Sequence, residues 1–351
     1  MQSEKLKRIF LETGADAVYL ETDFLRRYIT GFYSTDGYVI IDAHSTKFVA
    51  DLRYFEAAQK ALAGSEIEVI EGGYLKALEL LKGYRTLGVP YPFLDFQKAE
   101  TLKKEGFTLT DCMPALKAAM IIKDAKELSY IQRACEIAED GFLKLLPEIK
   151  EGMTENEVAA LLEYHMRMLG ASGTSFETIV AFGKNGSVPH HETGSDKLKF
   201  GDAVLIDFGC KVEGYCSDIT RTFLFGDDQK HGDFKKAYAE VLKAHELVKE
   251  KVVAGFTGRE ADAVARDSLE EANLAKYFTH SLGHGIGLQI HEYPSLSPRG
   301  EEVLKDGMVF SDEPGVYLAG KFGIRIEDSV TLKEGRIYSF MKKTERNLII
   351  L

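Results

Sequence analysis

Apolar positions in the first third of the chain switch repeatedly between the spacing of a helix and the alternation of a strand. Helical spacing runs through an amphipathic N-terminus, residues 1–14, strongest over 5–12. Residues 17–20 form a short apolar strand, 38–42 and 47–51 read as paired strands, and 53–63 return to helix. The alternation continues through 66–71, 75–82, 86–89, 93–105 and 107–110, an α/β layout of helices covering a sheet. The texture changes over 113–126. Pro114 interrupts the pattern, and Asp124 with Glu127 has capping-box spacing, in which the N-cap side chain takes the third helical amide and the glutamate reaches back. A long helix is predicted from there through Leu128, Ile131, Ala134, Ile137 and Ala138. Thr154 with Glu157 repeats the signal before a helix through Val158, Leu161, Leu162 and Met166, stopped by Gly170. Beyond Gly170 glycines become frequent and strands are expected to dominate.

A chain of 351 residues is long for a single core, so two domains are expected: an N-terminal α/β domain over 1–114, a linker over 115–126 and a second domain over 127–351. The 45% hydrophobic and 28% charged residues are the balance of a globular protein and exclude a disordered chain. A net charge of -11, with no local basic patch, opposes a phosphate backbone, so no nucleic-acid partner is expected. The longest apolar runs, 38–41, 118–122 and 348–351, fall far short of the roughly 20 residues that span a bilayer, and no membrane association is expected. Four scattered cysteines without a CxxC pair argue for free thiols and a cytoplasmic location.

Eight of the nine histidines lie beyond position 160, which puts the chemistry in the second domain. Residues 204–208 and 215–223 are strand-like, and Glu213-Gly214 between them suits a two-residue hairpin turn. That turn sets Val212 opposite Tyr215, Lys211 opposite Cys216 and Gly209 opposite Asp218. Asp207 and Asp218 then share a face as diagonal neighbours, roughly 7–8 Å apart or less, and repel unless a cation lies between them. Cys210 and Cys216 fall on opposite faces. The apolar run 203–206 ahead of Asp207 marks a strand buried on both sides, where an unpartnered carboxylate is costly. Farther on, His280, His284 and His291 fall in one glycine-punctuated dozen, with His284 between Gly283 and Gly285. Glu313 precedes Pro314 and is biased toward extended geometry. Residues 315–318 then read as a strand, 319–322 as a turn and 323–332 as a second strand from which Arg325 and Glu327 point the same way. Asp207, Asp218, His284, Glu313 and Glu327 together offer four carboxylates and one imidazole. That charge suits two divalent cations of the oxygen-seeking kind, manganese foremost, with cobalt, iron or zinc as alternatives. Two such ions about 3.5–4 Å apart can share a water, lower its pKa toward about 7 and drive hydrolysis of a carbonyl.

These residues, in the order Ile206-Asp-Phe-Gly, Ser217-Asp-Ile-Thr-Arg-Thr, Gly283-His-Gly-Ile-Gly-Leu, Glu313-Pro-Gly and Arg325-Ile-Glu-Asp, resemble the pita-bread metallopeptidases of the proline-directed branch, Xaa-Pro dipeptidase (prolidase) and Xaa-Pro aminopeptidase. Tyr28-Ile-Thr-Gly-Phe32 resembles an early segment of the creatinase-type N-terminal domain. The resemblance implies an α+β protein whose pita-bread catalytic domain follows a smaller creatinase-type domain. It implies that Asp207 chelates one metal, Asp218 and Glu327 bridge both, and His284 and Glu313 complete the second. A bridging hydroxide would be the nucleophile, Glu313 its proton shuttle, and His190, His291 and Arg325 would contact substrate or organise the site. His191 is left without a role, and apolar residues near Phe176, Ile286 or Tyr317 are expected to admit a proline ring. The expected activity is hydrolysis of Xaa-Pro dipeptides by a homodimer. Longer peptides with proline second are the alternative, and a protein-binding module on the same fold is the non-enzymatic one.

Overall fold

The computed structural model describes residues 3–226 and 231–351. Met1 and Gln2, the start of the expected N-terminal helix, lie outside the described residues. The chain forms two compact units, Met1–Met120 and Ile121–Leu351.

In the first unit the alternating pattern becomes α1 (Glu4–Thr13), β1 (Ala17–Leu20), α2 (Asp23–Thr30), β2 (Tyr38–Ile41), β3 (Thr46–Ala50), α3 (Phe55–Ala61), β4 (Ile67–Glu71), α4 (Tyr74–Leu80), β5 (Thr86–Val89), α5 (Phe96–Lys104), β6 (Thr108–Asp111) and α6 (Met113–Met120). The six strands make one sheet in the order β4-β3-β2-β1-β5-β6. β1, β2 and β3 pair antiparallel, and the flanking contacts are parallel. β1 is apolar throughout because both its faces are covered; Ala17 and Tyr19 share a core with Ile40, Val49, Leu87, Ala77 and Leu102. The Tyr28-Ile-Thr-Gly segment ends α2, with Gly31 in the left-handed region and the Tyr28 hydroxyl donating to the carbonyl of Ala119 at 2.7 Å. The expected linker, 115–126, is helical as far as Met120. Pro114 sits in the first turn of α6, where no intrahelical amide is needed, so it opens the helix where an interruption was expected.

In the second unit the two capping boxes close on α7 (Ala125–Leu145) and α8 (Glu155–Met168). Strands follow: β7 (Gly173–Thr174), β8 (Ile179–Phe182), β9 (Asp202–Phe208), β10 (Cys210–Val212), β11 (Tyr215–Cys216) and β12 (Ile219–Phe225). They do not dominate what comes next, since α9 (Gly232–Lys251) and α10 (Gly258–Glu271) intervene. α10 opens on a third capping box, Thr257 with Glu260, a signal that the glycine-rich surroundings obscured. The chain ends with β13 (Gly283–Gly285), β14 (Glu292–Leu296), β15 (Val309–Asp312), β16 (Gly315–Leu318), β17 (Phe322–Arg325), β18 (Asp328–Lys333) and β19 (Arg336–Ser339). One sheet runs β12-β9-β8, a second β14-β13-β15-β18-β19, and β16 pairs with β17 alone. The single strand expected over 323–332 is thus two strands in different sheets. At the crossing Ile326 donates to the Pro314 carbonyl at 3.3 Å and Glu327 to the Thr220 carbonyl at 3.1 Å. A core including Val241, Ala244, Val248, Leu269, Phe310, Ile324 and Val330 fills the space between the helices and these strands.

Candidate metal centre

The hairpin that carries the two aspartates runs in the expected register. Val212 pairs with Tyr215, Lys211 with Cys216, and farther down Ile219 with Phe208 and Thr220 with Asp207. Glu213 and Gly214 both have positive φ, 48° and 82°, as a tight right-twisted hairpin requires. Gly209 lies so close to the Ser217 carbonyl that a Cβ would meet its oxygen at 1.9 Å, so only glycine lets the strands pass here. Asp218 is two residues from Thr220, diagonal to Asp207, and both line one cleft. The cysteines part as expected and remain free: the Cys210 thiol donates to the Ala134 carbonyl, the Cys216 thiol to that of Leu288.

That cleft, about 1040 Å³, also takes in His190, His191, His280, His284, His291, Glu313, Arg325 and Glu327. Ligand atoms of Asp218, His284 and Glu327 lie within 4.8 Å of one another. His284 donates from Nδ1 to the Gly285 carbonyl at 3.1 Å, which leaves Nε2 as a lone pair 3.5 Å from Asp218 Oδ2 and 3.4 Å from Glu313 Oε1. Burial, helped by His291 with its ring centroid 4.4 Å away, pushes His284 down to about 4, so it is neutral at physiological pH. The carboxylates behave oppositely. Burial raises Asp218, and Glu327, Asp207 and Glu313 raise it further. Glu327 is raised by burial, Glu313 and Asp207. Glu313 is pushed up to about 8 by burial, opposed by Arg325 and reinforced by Asp207.

Partners fix each carboxylate. Arg325 donates to Asp207 at 2.5 Å, to Thr220 Oγ1 at 2.9 Å and to the Tyr317 hydroxyl, while the Thr220 hydroxyl in turn donates a hydrogen bond to Glu327 Oε2 at 2.6 Å. Ser311 donates to Glu313 at 2.9 Å and accepts the His284 amide at 3.0 Å. Ser329 clamps the Asp218 backbone from both sides, accepting its amide and donating to its carbonyl. Sequence reasoning gave no role to Thr220, Ser311 or Ser329 and a different one to Tyr317; the hydroxyls sit in strands and carry no spacing signal. His280 accepts from Tyr317 and is pushed by burial to about 3. Among the described residues Oδ1 of Asp207 is buried with no partner. Mutually repelling buried carboxylates, an orphaned carboxylate oxygen and a free imidazole lone pair form a donor set that fits divalent metal ions.

His190 and His291 lie at the exposed side of the cleft, close enough that His190 together with burial depresses His291. His191 turns away to Glu155, 2.8 Å off; that buried carboxylate also accepts the amides of Phe182 and Gly194 and the side chain of Asn185. Of the three residues expected around a proline ring, Phe176 lines the cleft. Ile286 is fully buried away from its wall, and Tyr317 is occupied beneath Arg325 and His280. Ala159, Ala160, Ile179, Pro189 and Ile290 supply the remaining apolar wall.

Comparison with known proteins accords with this architecture. The chain is 37% identical over 359 residues to the Xaa-Pro dipeptidase of Pyrococcus horikoshii, with 99% of each covered. Its fold matches the solved Xaa-Pro dipeptidase from Bacillus anthracis with a TM-score of 0.93 at 36% identity, over 99% of both chains. It matches X-Pro aminopeptidase from Thermotoga maritima with a TM-score of 0.91 at 33% identity, over 99% of this chain and 100% of that one. The α+β, pita-bread expectation therefore stands. Residues 2–120 match the creatinase/prolidase N-terminal domain and residues 129–334 match metallopeptidase family M24. With buried carboxylates and a neutral imidazole gathered in one cleft of the second unit, and a creatinase-type domain preceding that unit in the sequence, the chain belongs to metallopeptidase family M24.

Proposed function

We propose that the protein is a metal-dependent Xaa-Pro dipeptidase in which Asp207, Asp218, His284, Glu313 and Glu327 hold two divalent ions, manganese by preference. The observation that carries this reading is the convergence of Asp218, His284 and Glu327 within 4.8 Å, beside Glu313 and the orphaned oxygen of Asp207. Metal ions bound there would supply Lewis acidity toward the scissile carbonyl and activation of water. An Xaa-Pro bond has no amide hydrogen and a backbone constrained by its ring, so proteases that grip extended strands handle it poorly. Its departing nitrogen must receive a proton. Glu313, whose carboxylate lies in the cleft 3.4 Å from His284, is the group that carries that proton in this reading. His190 and His291, on the open side of the cleft, contact the substrate, and His291 donates to its carbonyl oxygen. Arg325 holds Asp207 and, through Thr220, Glu327 in register.

The cleft of about 1040 Å³ supports a second reading, Xaa-Pro aminopeptidase, because it offers more room than a dipeptide fills. Release of the N-terminal residue from Xaa-Pro and from Xaa-Pro-Yaa by the purified protein decides between the two. Chelation followed by manganese add-back tests both, since full activity in the stripped protein refutes either. The enzyme is further proposed to act in the cytoplasm, which its four free cysteines support, and as a homodimer, which light scattering tests. Among the described residues no helix is long and apolar enough to cross a membrane.

A further inference from the structure

α9 contributes nothing to the wall of the cleft, yet it carries a fully buried histidine directly behind it. His245 lies between Asp312, with Nδ1 3.1 Å from Oδ2, and Asp328, with Nε2 3.7 Å from Oδ2. These two aspartates are register partners at the last rung between β15 and β18, and both are fully buried. Carboxylates directly opposite each other in an antiparallel pair are close enough to force the strands apart unless a cation intervenes. Asp328 is well supplied: Arg221 reaches Oδ1 at 2.9 Å, and Arg346 and Ser339 each reach Oδ2 at 2.8 Å. Asp312 is not. Among the described residues neither of its oxygens accepts an aligned hydrogen bond, and His245 is its ion-pair partner. Burial opposes the charge on His245, but Asp312 and Asp328 outweigh it and push it up to about 9. Lys249, on the same helix, also feels both aspartates but is half-buried and held down by desolvation.

The neighbours of this rung give it a function. Glu313 follows Asp312 where β15 ends, and Glu327 precedes Asp328 where β18 begins. With side chains alternating along a strand, aspartates facing α9 send the glutamates into the cleft, which both of them line. We propose that His245 is a positioning residue, a buried cation that holds the ends of β15 and β18 at the separation from which Glu313 and Glu327 reach a common metal site. The inference rests on the reading of those glutamates as metal ligands.

The test is manganese titration by calorimetry, well below the melting temperature, on the metal-free full chain, on His245→Gln and on His245→Gln/Asp312→Asn, with a thermal melt of each. His245→Gln leaves Asp312 uncompensated and is expected to bind manganese about 10- to 100-fold more weakly. The double variant removes the uncompensated charge and is expected to recover to within a factor of about three. A melting temperature that falls while the affinity of His245→Gln stays at the wild-type value makes His245 a support of the fold alone and overturns the proposal. If the single variant does not fold, the double variant decides: restored affinity supports the role, and a loss beyond about tenfold refutes it. If the wild-type chain itself binds no manganese, the metal-centre reading fails first and the positioning role falls with it.

Discussion

Stripping the metal from this protein should make its stability fall steeply with alkalinity between pH 6.5 and 8. Glu313, with an ordinary value of 4.5, is pushed up to about 8 in the fold. A carboxyl group whose folded pKa is raised binds its proton more tightly when folded, so its contribution is lost as pH rises. His245, raised from 6.5 to about 9, acts with the same sign: its contribution is complete below 6.5 and is lost on the way to 9. His280, His284 and His291 are depressed and work in the opposite direction, but only below 6.5, which leaves the higher window clear. From pH 6.5 to 8 each of the two raised groups loses about 1.2 units' worth of preferential protonation, a little under about 2 kcal/mol apiece. Asp218 and Glu327, also raised, add to the fall. A loss of at least about 3 kcal/mol lowers the melting temperature of a unit this size by about 6–12 °C. Saturating manganese keeps the ligand carboxylates ionised and paired, so the decline should shrink to roughly the 2 kcal/mol of His245. Differential scanning calorimetry at pH 6.5, 7.25 and 8, with and without manganese, reads both slopes. Equal slopes in the two series, or a stripped protein that gains stability over this range, would refute the assignment of these carboxylates to a shared cation site.

Thr220→Val should deprive Glu327 and Arg325 of a common partner and weaken manganese binding about 10- to 100-fold, with calorimetric titration as the readout. Glu313→Gln should lower turnover of Xaa-Pro substrates by at least about a hundredfold. In metal-free protein the same change should raise the melting temperature at pH 8, because a neutral amide replaces a carboxyl group that the fold resists ionising. Lys123→Met should cost about 3–5 kcal/mol by stranding Glu292, its buried partner at 3.0 Å, and adding Glu292→Gln should recover most of that in a denaturant melt.

What could be read from the chain divides along a physical line. Elements of the first unit declared themselves because strands such as β1 and β2 are short apolar runs bounded by turn residues, and β1 and β5 fall at their expected positions. The hairpin register also followed from two residues, Glu213 and Gly214, because a two-residue turn leaves no freedom in the pairing it starts. The metal-centre candidates stood out because buried carboxylates beside apolar runs are expensive and invite a reason. Local pattern failed where tertiary structure takes over. The segment from Gly323 to Leu332 has the alternation of one strand, and nothing in that alternation marks the point at which Ile326 and Glu327 leave one sheet for another.

That break is also what places Glu327. An unbroken strand would have carried β17 and β18 in one sheet, whereas the observed crossing ties the Glu327 amide to the Thr220 carbonyl and brings its carboxylate against the Thr220 hydroxyl. The same residue, Thr220, stands opposite Asp207 and accepts from Arg325. Three candidate site side chains, from two separated stretches of sequence, are therefore registered against one threonine whose own sequence context, a β-branched residue in a strand, is the least informative possible. Motif residues mark what the chemistry needs; the hydroxyls and buried counter-charges that hold them in place are chosen by the strand crossing. Such residues become visible only when the distances between strands are known.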